Sequence, residues 1–353
     1  MILSMWGIFC SCSIEPSSRK PITPSERNNI YQMLYFASLA GSSHNSQPWK
    51  VEVQDNRLIR LYADTTRELS IVDPERRELY ISLGAFIENL TLAAGSLGYK
   101  CDIKFNNSYQ NSAFVAEIYL EKTSSTGLDL SLIERRRTLR NPFKTISITE
   151  KDVRQIISPD SQCIHFFSAS SKEGKFISQK TIEAYTQQAF RKDAQDELAQ
   201  WIRFSDKDVN EKKDGLTTAG MQIDGISGFF VRHFMKPEDS KKASFVKSGI
   251  EKTKKQALNC GGWIVITSSD NLVADWIKTG RLYEHINLIC TELNIGFQPI
   301  NQIVEEPNFK TIVTDYLNLN GQLMFVARVG YVTQNPAPVS PRRPVAEFSK
   351  FNH

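Results

Sequence analysis

The chain carries none of the common catalytic or nucleotide signatures. There is no GxGxxG after a strand, no GxxxxGK[ST], no GxSxG and no HExxH, so the usual dinucleotide, phosphate-loop, nucleophile-elbow and zinc-protease sites are excluded. Cysteine is scarce, six in 353 residues, with no CxxC and no Cys/His spacing, which rules out a disulfide framework and a structural zinc site. Cys101, Cys163, Cys260 and Cys290 lie singly in apolar surroundings and read as buried free thiols. Lys and Arg number 43 against 39 Asp and Glu, and no basic cluster alternates with aromatics, so nothing in the pattern points to nucleic acid. His44, His165, His233 and His285 have no triad partner nearby in sequence. A satisfied surface or core histidine is the plain reading of each, with His44 set apart by its polar neighbours.

No apolar run is long enough to span a bilayer; the N-terminal "MILSMWGIFCSC" is about twelve residues. It ends in Cys10 and Cys12, before the polar "SIEPSSRKPITP", and is similar to a lipoprotein-type signal, although it has no basic n-region and its cleavage box matches poorly. Residues 1–20 are therefore set outside the fold, with a possible lipid anchor at Cys10 or Cys12. Localisation is read as cytoplasmic ahead of a membrane-anchored lipoprotein.

The rest is ordinary for a globular chain, 41% apolar and 23% charged. Thr23-Pro24-Ser25-Glu26 reads as a helix start with a capping box, and Gly41 as the stop of the helix that follows. Trp49, Val51 and Val53 alternate with polar residues as a strand, and "RLIRLYAD" follows the Asp55-Asn56 turn as another. Leu79 to Tyr99 is apolar on nearly all sides and predicts a buried helix ended by Gly98. "SAFVAEIYLE", "WIVIT" at 263–267 and "QLMFVARVGYV" read as strands, and Leu282 to Phe297 as a second apolar helix. Superposing the two long helices pairs Asn89-Leu90 with Asn287-Leu288 and Gly98-Tyr99 with Gly296-Phe297, a shift of 198, and "ITPSER" is similar to "ITEKDV". These matches point to an internal duplication.

Two features stay unexplained by core formation. The loop "AGSSHNSQPWK", Ala40 to Lys50, is dense in donors and acceptors and has no copy in the second half, where "SPDSQCIHFF" leads into the matching strand. If the loop binds a ligand, the chain binds one copy. Arginines cluster in "ERRRTLRNPF" and "SPRRPV"; Arg136, Arg140, Arg342 and Arg343 could clamp phosphate, with Thr138 adding a hydroxyl, or could be two solvated basic turns. Residues 174–260 read as an insertion, in which charged helices around Thr181–Trp201 and Ser240–Ala257 flank the Gly-rich "DGLTTAGMQIDGISGFF". That middle piece is a mobile cover or an ordinary irregular loop.

Together "SSHNSQPW", "RRRTLRNPF" and the tail "RVGYVTQNPAPVSPRRPVAEF" resemble the FMN-binding nitroreductase superfamily, in its twin-domain branch with a lid. The resemblance implies an α+β fold of two related halves, each an antiparallel-type sheet packed on long helices, fused as a pseudo-dimer. The first half would cover residues 21–130 and the second 131–353. It further implies FMN as cofactor. Arg136, Thr138 and Arg140, with Arg342 and Arg343 of the tail, would meet the phosphate, and Ser42, Ser43, Asn45 and Gln47 would meet the flavin from the other half. In "GFQPINQ", Gln298, Pro299, Asn301 and Gln302 would approach flavin N5, where the family often has an acid followed by glycine. Gly41 stands where the family has proline.

The implied activity is NAD(P)H-dependent reduction of a small electron acceptor, a nitroaromatic or quinone, with no side chain assigned as acid or base. The alternative is a non-enzymatic FMN store whose lid blocks nicotinamide. The fused pair would act as a monomer or associate further as a homodimer.

Overall fold

The computed structural model describes residues 29–55, 57–106, 112–333 and 336–352. The helix start expected at Thr23–Glu26, together with Cys10 and Cys12, lies outside the described residues. The first half runs α1 (Asn29–Ser38), β1 (Trp49–Gln54), β2 (Leu58–Ala63), α2 (Arg77–Ser96), β3 (Tyr99–Phe105) and β4 (Phe114–Lys122). The second begins with α3 (Ser131–Arg135), α4 (Glu150–Ile157) and β5 (Ile164–Ser168). An insert follows: α5 (Lys172–Phe190), α6 (Lys192–Trp201), β6 (Ile202–Arg203), α7 (Asp206–Lys212), β7 (Leu216–Thr217), α8 (Gly225–Phe234) and α9 (Ala243–Leu258). The chain then resumes with β8 (Gly262–Ser268), α10 (Val273–Glu292), β9 (Ile295–Pro299), α11 (Gln302–Glu305), α12 (Pro307–Tyr316) and β10 (Gln322–Tyr331), and closes with α13 (Val345–Phe348) and β11 (Ser349–Asn352).

Two sheets have the orders β11-β1-β2-β4-β3 and β5-β8-β10-β9. With β11 set aside, both follow one pattern of antiparallel pairs, and α2 and α10 occupy the same place in each. The fold is thus the α+β arrangement of two related halves. The C-terminal β11 crosses to the first half and pairs parallel with β1, Val51 opposite Ser349. The insert enters between β5 and β8, where the first half has only a tight turn between β1 and β2.

The duplication holds with its register corrected. Arg77–Ser96 and Val273–Glu292 run in step 196 residues apart, 77 to 273 and 96 to 292, as do the starts of β3 and β9, 99 to 295. The shift of 198 was set by an Asn-Leu and a Gly-aromatic match, whereas the backbone equivalent of Gly98 (φ +79°) is Asn294 (φ +54°). Asparagine tolerates the left-handed turn that ends both helices. For the same reason the second long helix is Val273–Glu292 rather than Leu282–Phe297, and Gly296 and Phe297 pair with Gly330 and Val329 in the sheet.

α2 and α10 cross at the centre of the molecule, where a Cβ on Gly84 would lie 2.1 Å from the Ile277 carbonyl and one on Gly280 1.9 Å from that of Ile81. Only glycine permits this backbone approach. β8 is buried on both faces: Ile264 and Ile266 join the core around α2 and α10, Trp263 and Val265 the core under α5 and α9. That explains its unbroken apolar run. β3, absent from the sequence expectations, is an edge strand whose residues Tyr99 to Phe105 alternate apolar and polar directly after the long helix. The Phe-rich end of the insert's Gly-rich stretch is helical, as α8, rather than irregular.

Candidate functional site

The polar loop between α1 and β1 is locked in place by its own backbone and by the second half. His44, Asn45 and Gln47 all take positive φ, +50°, +53° and +55°, a concentration of left-handed residues that marks functional loops. The Ser42 hydroxyl accepts from the Gln47 N–H at 3.1 Å, and the Ser43 N–H donates to the Ser82 hydroxyl at 3.3 Å. The Gly41 N–H donates to Glu284 at 3.3 Å. A Cβ on Gly41 would lie 1.9 Å from the Tyr283 hydroxyl, so the glycine that departs from the family's proline makes room for a tyrosine of α10.

The C-terminal tail grips this loop. Arg342 donates to the Asn45 side-chain oxygen at 2.9 Å and caps the end of α1 through the carbonyls of Ser38 (2.8 Å), Leu39 (3.1 Å) and Ala40 (3.1 Å). Arg343 donates to the carbonyls of Gln47 (2.6 Å) and Trp49 (3.0 Å), and its N–H donates to the Gln47 side chain at 2.9 Å. Arg136 donates to the Leu39 carbonyl at 2.6 Å and forms a buried ion pair with Glu284 at 2.9 Å. Residues nearly three hundred positions apart therefore converge on one turn.

Beside it lies a group of positively charged side chains. Arg140 donates to the Gly220 carbonyl at 3.0 Å, and Lys252 to those of Met221 (2.6 Å) and Gln222 (3.1 Å). The Gln222 side-chain oxygen accepts from the N–H groups of both Arg140 and Asn141, the latter at 2.8 Å. Behind them Arg328, fully buried, stacks 3.9 Å over Phe143 and donates to Gln298 (2.6 Å) and the Asn141 carbonyl (2.8 Å). Among the described residues no carboxylate pairs with Arg140, Lys252, Arg328 or Arg342; their partners are carbonyls and amides.

Burial, with neighbouring cations, lowers these groups. Arg140 is pushed down to about 10 by burial and then by Arg137, and Arg342 to about 9 by burial and then by Arg136, with Glu284 opposing. Arg328 falls to about 9, again mainly through burial. His44 drops to about 4 through burial and the Arg140 charge, so at neutral pH it is an uncharged imidazole, 3.4 Å from the Ser43 hydroxyl. Such uncompensated positive charge favours an anion. Tyr283 lies where both Arg140 and Arg342 feel it, its hydroxyl pushed up to about 12 by burial and by Glu284.

The structure gathers Ser42, Ser43, Asn45, Gln47, Arg136, Arg342 and Arg343 into one network, and Arg140 beside it. Thr138 is half-buried in the extended segment between Arg136 and Arg140. Gln298 joins indirectly, through Gln256, which donates to the Arg140 carbonyl at 2.5 Å. Pro299 ends β9, opposite Ala327. Asn301 and Gln302 turn elsewhere: Asn301 bonds Glu78 (3.0 Å) and the Val326 N–H (2.8 Å), and Gln302 bonds Gln188 (3.4 Å). Sequence reading missed Lys252, Gln222, Tyr283, Glu284 and Arg328. They lie in the insert, in the apolar helix and in β10; Arg328 opens the quoted tail "RVGYV" and could have drawn attention there, and Glu284 is a fully buried charge in a mostly apolar stretch of its helix. Among the described residues no His/Cys/Asp/Glu group could hold a metal ion.

No family model matches the chain. It is 24% identical over 340 residues to "Probable NAD(P)H nitroreductase PigM" of Serratia sp., covering 89% of this chain and 91% of that one. The chain is thus similar, over most of its length, to a protein bearing the NAD(P)H nitroreductase name. A Mycobacterium tuberculosis protein of the same NAD(P)H nitroreductase name, acg, is 22% identical over 336 residues, covering 93% of this chain and 97% of its own. Among solved structures, the FMN-dependent nitroreductase NfnB of Mycobacterium smegmatis, in complex with NADPH, is 15% identical with a TM-score of 0.42, covering 64% of this chain and 100% of that one. Similarity to PigM and acg spans both halves and the insert of this chain.

Proposed function

We propose that the chain binds one FMN between its halves and acts as an NAD(P)H-dependent oxidoreductase reducing nitroaromatics or quinones. The observation that carries this reading is the meeting of the pinned Ser42–Gln47 loop with Arg140 and Arg342, two largely buried guanidiniums with no carboxylate partner among the described residues. That donor set fits a phosphate monoester, since guanidinium forks match its oxygens and each charge-assisted hydrogen bond contributes about 1.5–3 kcal/mol. FMN, when bound, supplies the hydride-accepting and electron-donating chemistry.

The chain's own residues bind and orient. Arg140, with Lys252 and Thr138 nearby, would hold the phosphate, and Arg342, whose guanidinium already caps α1 and holds Asn45, would join only by exchanging one of those carbonyls for a phosphate oxygen. Arg136 and Arg343 are spent on Glu284 and on loop carbonyls and act as positioning residues. Ser42 and Ser43 would offer polar contacts to the flavin, while Asn45 and Gln47, whose amides are taken up by Gly215, Lys213 and the tail arginines, hold the loop in place. Neutral His44 adds a donor or acceptor without adding charge.

One observation favours the storage alternative: the Gly220–Gln222 turn of the insert lies on Arg140 and Lys252, so its oxygens occupy the cations a ligand would use. An anaerobic titration separates the readings. Rapid loss of flavin absorbance on adding NADPH or NADH supports turnover; bleaching by dithionite alone supports storage and contradicts the enzyme.

A further inference from the structure

α8 is apolar on both sides. Gly228 and Val231 face inward, Val231 packing with Ile202 and Phe204. On the opposite side Ile226 is 91% exposed, Phe229 53%, Phe230 56% and Phe234 65%. Positions 226, 229, 230, 233 and 234 share one helical face. The rings are organised among themselves, with Phe229 stacked on His233 at 4.2 Å and Phe230 beside Phe234 at 5.2 Å. Four large apolar side chains in one outward stripe mark an interaction surface rather than ordinary surface scatter.

We propose that this face docks on an anionic lipid bilayer surface. Charge selects the occupant. From Asp224 to Leu258, apart from Lys252 at the site, the sequence carries Arg232, Lys236, Lys241, Lys242, Lys247, Lys254 and Lys255 against Asp224, Glu238, Asp239 and Glu251. Lys241 and Lys242 are paired with Asp196 and Asp239; Arg232 and Lys236, on and just after α8, make no ion pair among the described residues. A two-fold contact with a second copy would set these bases against themselves, whereas anionic headgroups neutralise them while the phenylalanines enter the acyl boundary. No helix among the described residues is long and apolar enough to cross a membrane, so the attachment is peripheral. The apolar run before Cys10 and Cys12 gives the same chain a second lipophilic element, as stable peripheral attachment requires.

The test is co-sedimentation of the full chain with vesicles of phosphatidylcholine alone or enriched in phosphatidylglycerol. It compares the natural chain, a Phe229→Ser/Phe230→Ser/Phe234→Ser variant and an Arg232→Glu/Lys236→Glu variant, with sedimentation velocity and a thermal melt for each. The proposal predicts binding that rises with phosphatidylglycerol and weakens about tenfold or more in both variants, at an unchanged melt. Should the serine variant fail to fold, the charge-reversal variant decides alone. Equal binding by all three chains would assign attachment to the N-terminal run and overturn the proposal. So would absence of vesicle binding, or dimerisation of the natural chain that the serine variant abolishes.

Discussion

Gly41 shows how one residue sets the loop. A methyl group there would lie 1.9 Å from the Tyr283 hydroxyl, so Gly41→Ala must push the loop from α10, at a cost of about 1–3 kcal/mol. Chemical denaturation should report that loss, together with weaker flavin binding; a variant of natural stability would mean the loop is slack. His44 offers a check on electrostatics. Its folded-state value is lowered from 6.5 to about 4 by burial and Arg140, so its contribution to stability is complete above about 6.5 and is lost as pH falls toward 4. An NMR titration of the imidazole should give a midpoint near 4, and one near 6.5 would place His44 in open solvent. Arg136 was legible as a conspicuous basic residue, but its buried partner Glu284 was not, because their meeting depends on how α10 packs against the end of α3. Arg136→Ala leaves Glu284 buried without its cation and should cost about 3–5 kcal/mol in denaturant. Loss of flavin at undiminished stability would instead make Arg136 a direct ligand.

At the scale of elements, the α2–α10 crossing carries the two-fold relation between halves. Gly84→Ala or Gly280→Ala must separate two helices at a carbonyl contact, and each should lower stability by about 3 kcal/mol or more, read from unfolding midpoints. A change below about 1 kcal/mol would show the crossing to be loose. Most elements were readable because their apolar periods are strong: β1, β2, β4, β8, β10 and α2 lie where alternation or unbroken burial put them. The start of α10 was not, since Lys278 and Arg281 interrupt its apolar pattern while their charges are met across the fold by Asp160 and Glu88. Edge strand β3 was legible in the alternation of Tyr99 to Phe105 but was overlooked because it follows the long helix with only the Leu97-Gly98 step between them. The insert's placement over Arg140 was beyond reach of sequence, because Gln222 and Lys252 act through a turn whose contacts are entirely long-range.

In the whole molecule, duplication and asymmetry explain each other. Both halves keep the same sheet order and the same long helix, but only the first has the Ser42–Gln47 loop, and only the second supplies Arg140 and the tail arginines. The second half's equivalent connection is taken up by the insert, whose Lys213 and Gly215 carbonyls accept from Gln47 (2.8 Å) and Asn45 (3.3 Å), so the cover is fastened to the site it covers. A symmetric pair of subunits would carry two such loops and two such arginine sets; this chain carries one of each. The most direct measurement is calorimetric titration of the flavin-free full chain with FMN. One equivalent bound per chain, abolished by Arg140→Gln with Arg342→Gln, is the predicted result; two equivalents, none, or undiminished binding by that double variant would contradict a single flavin held between the halves.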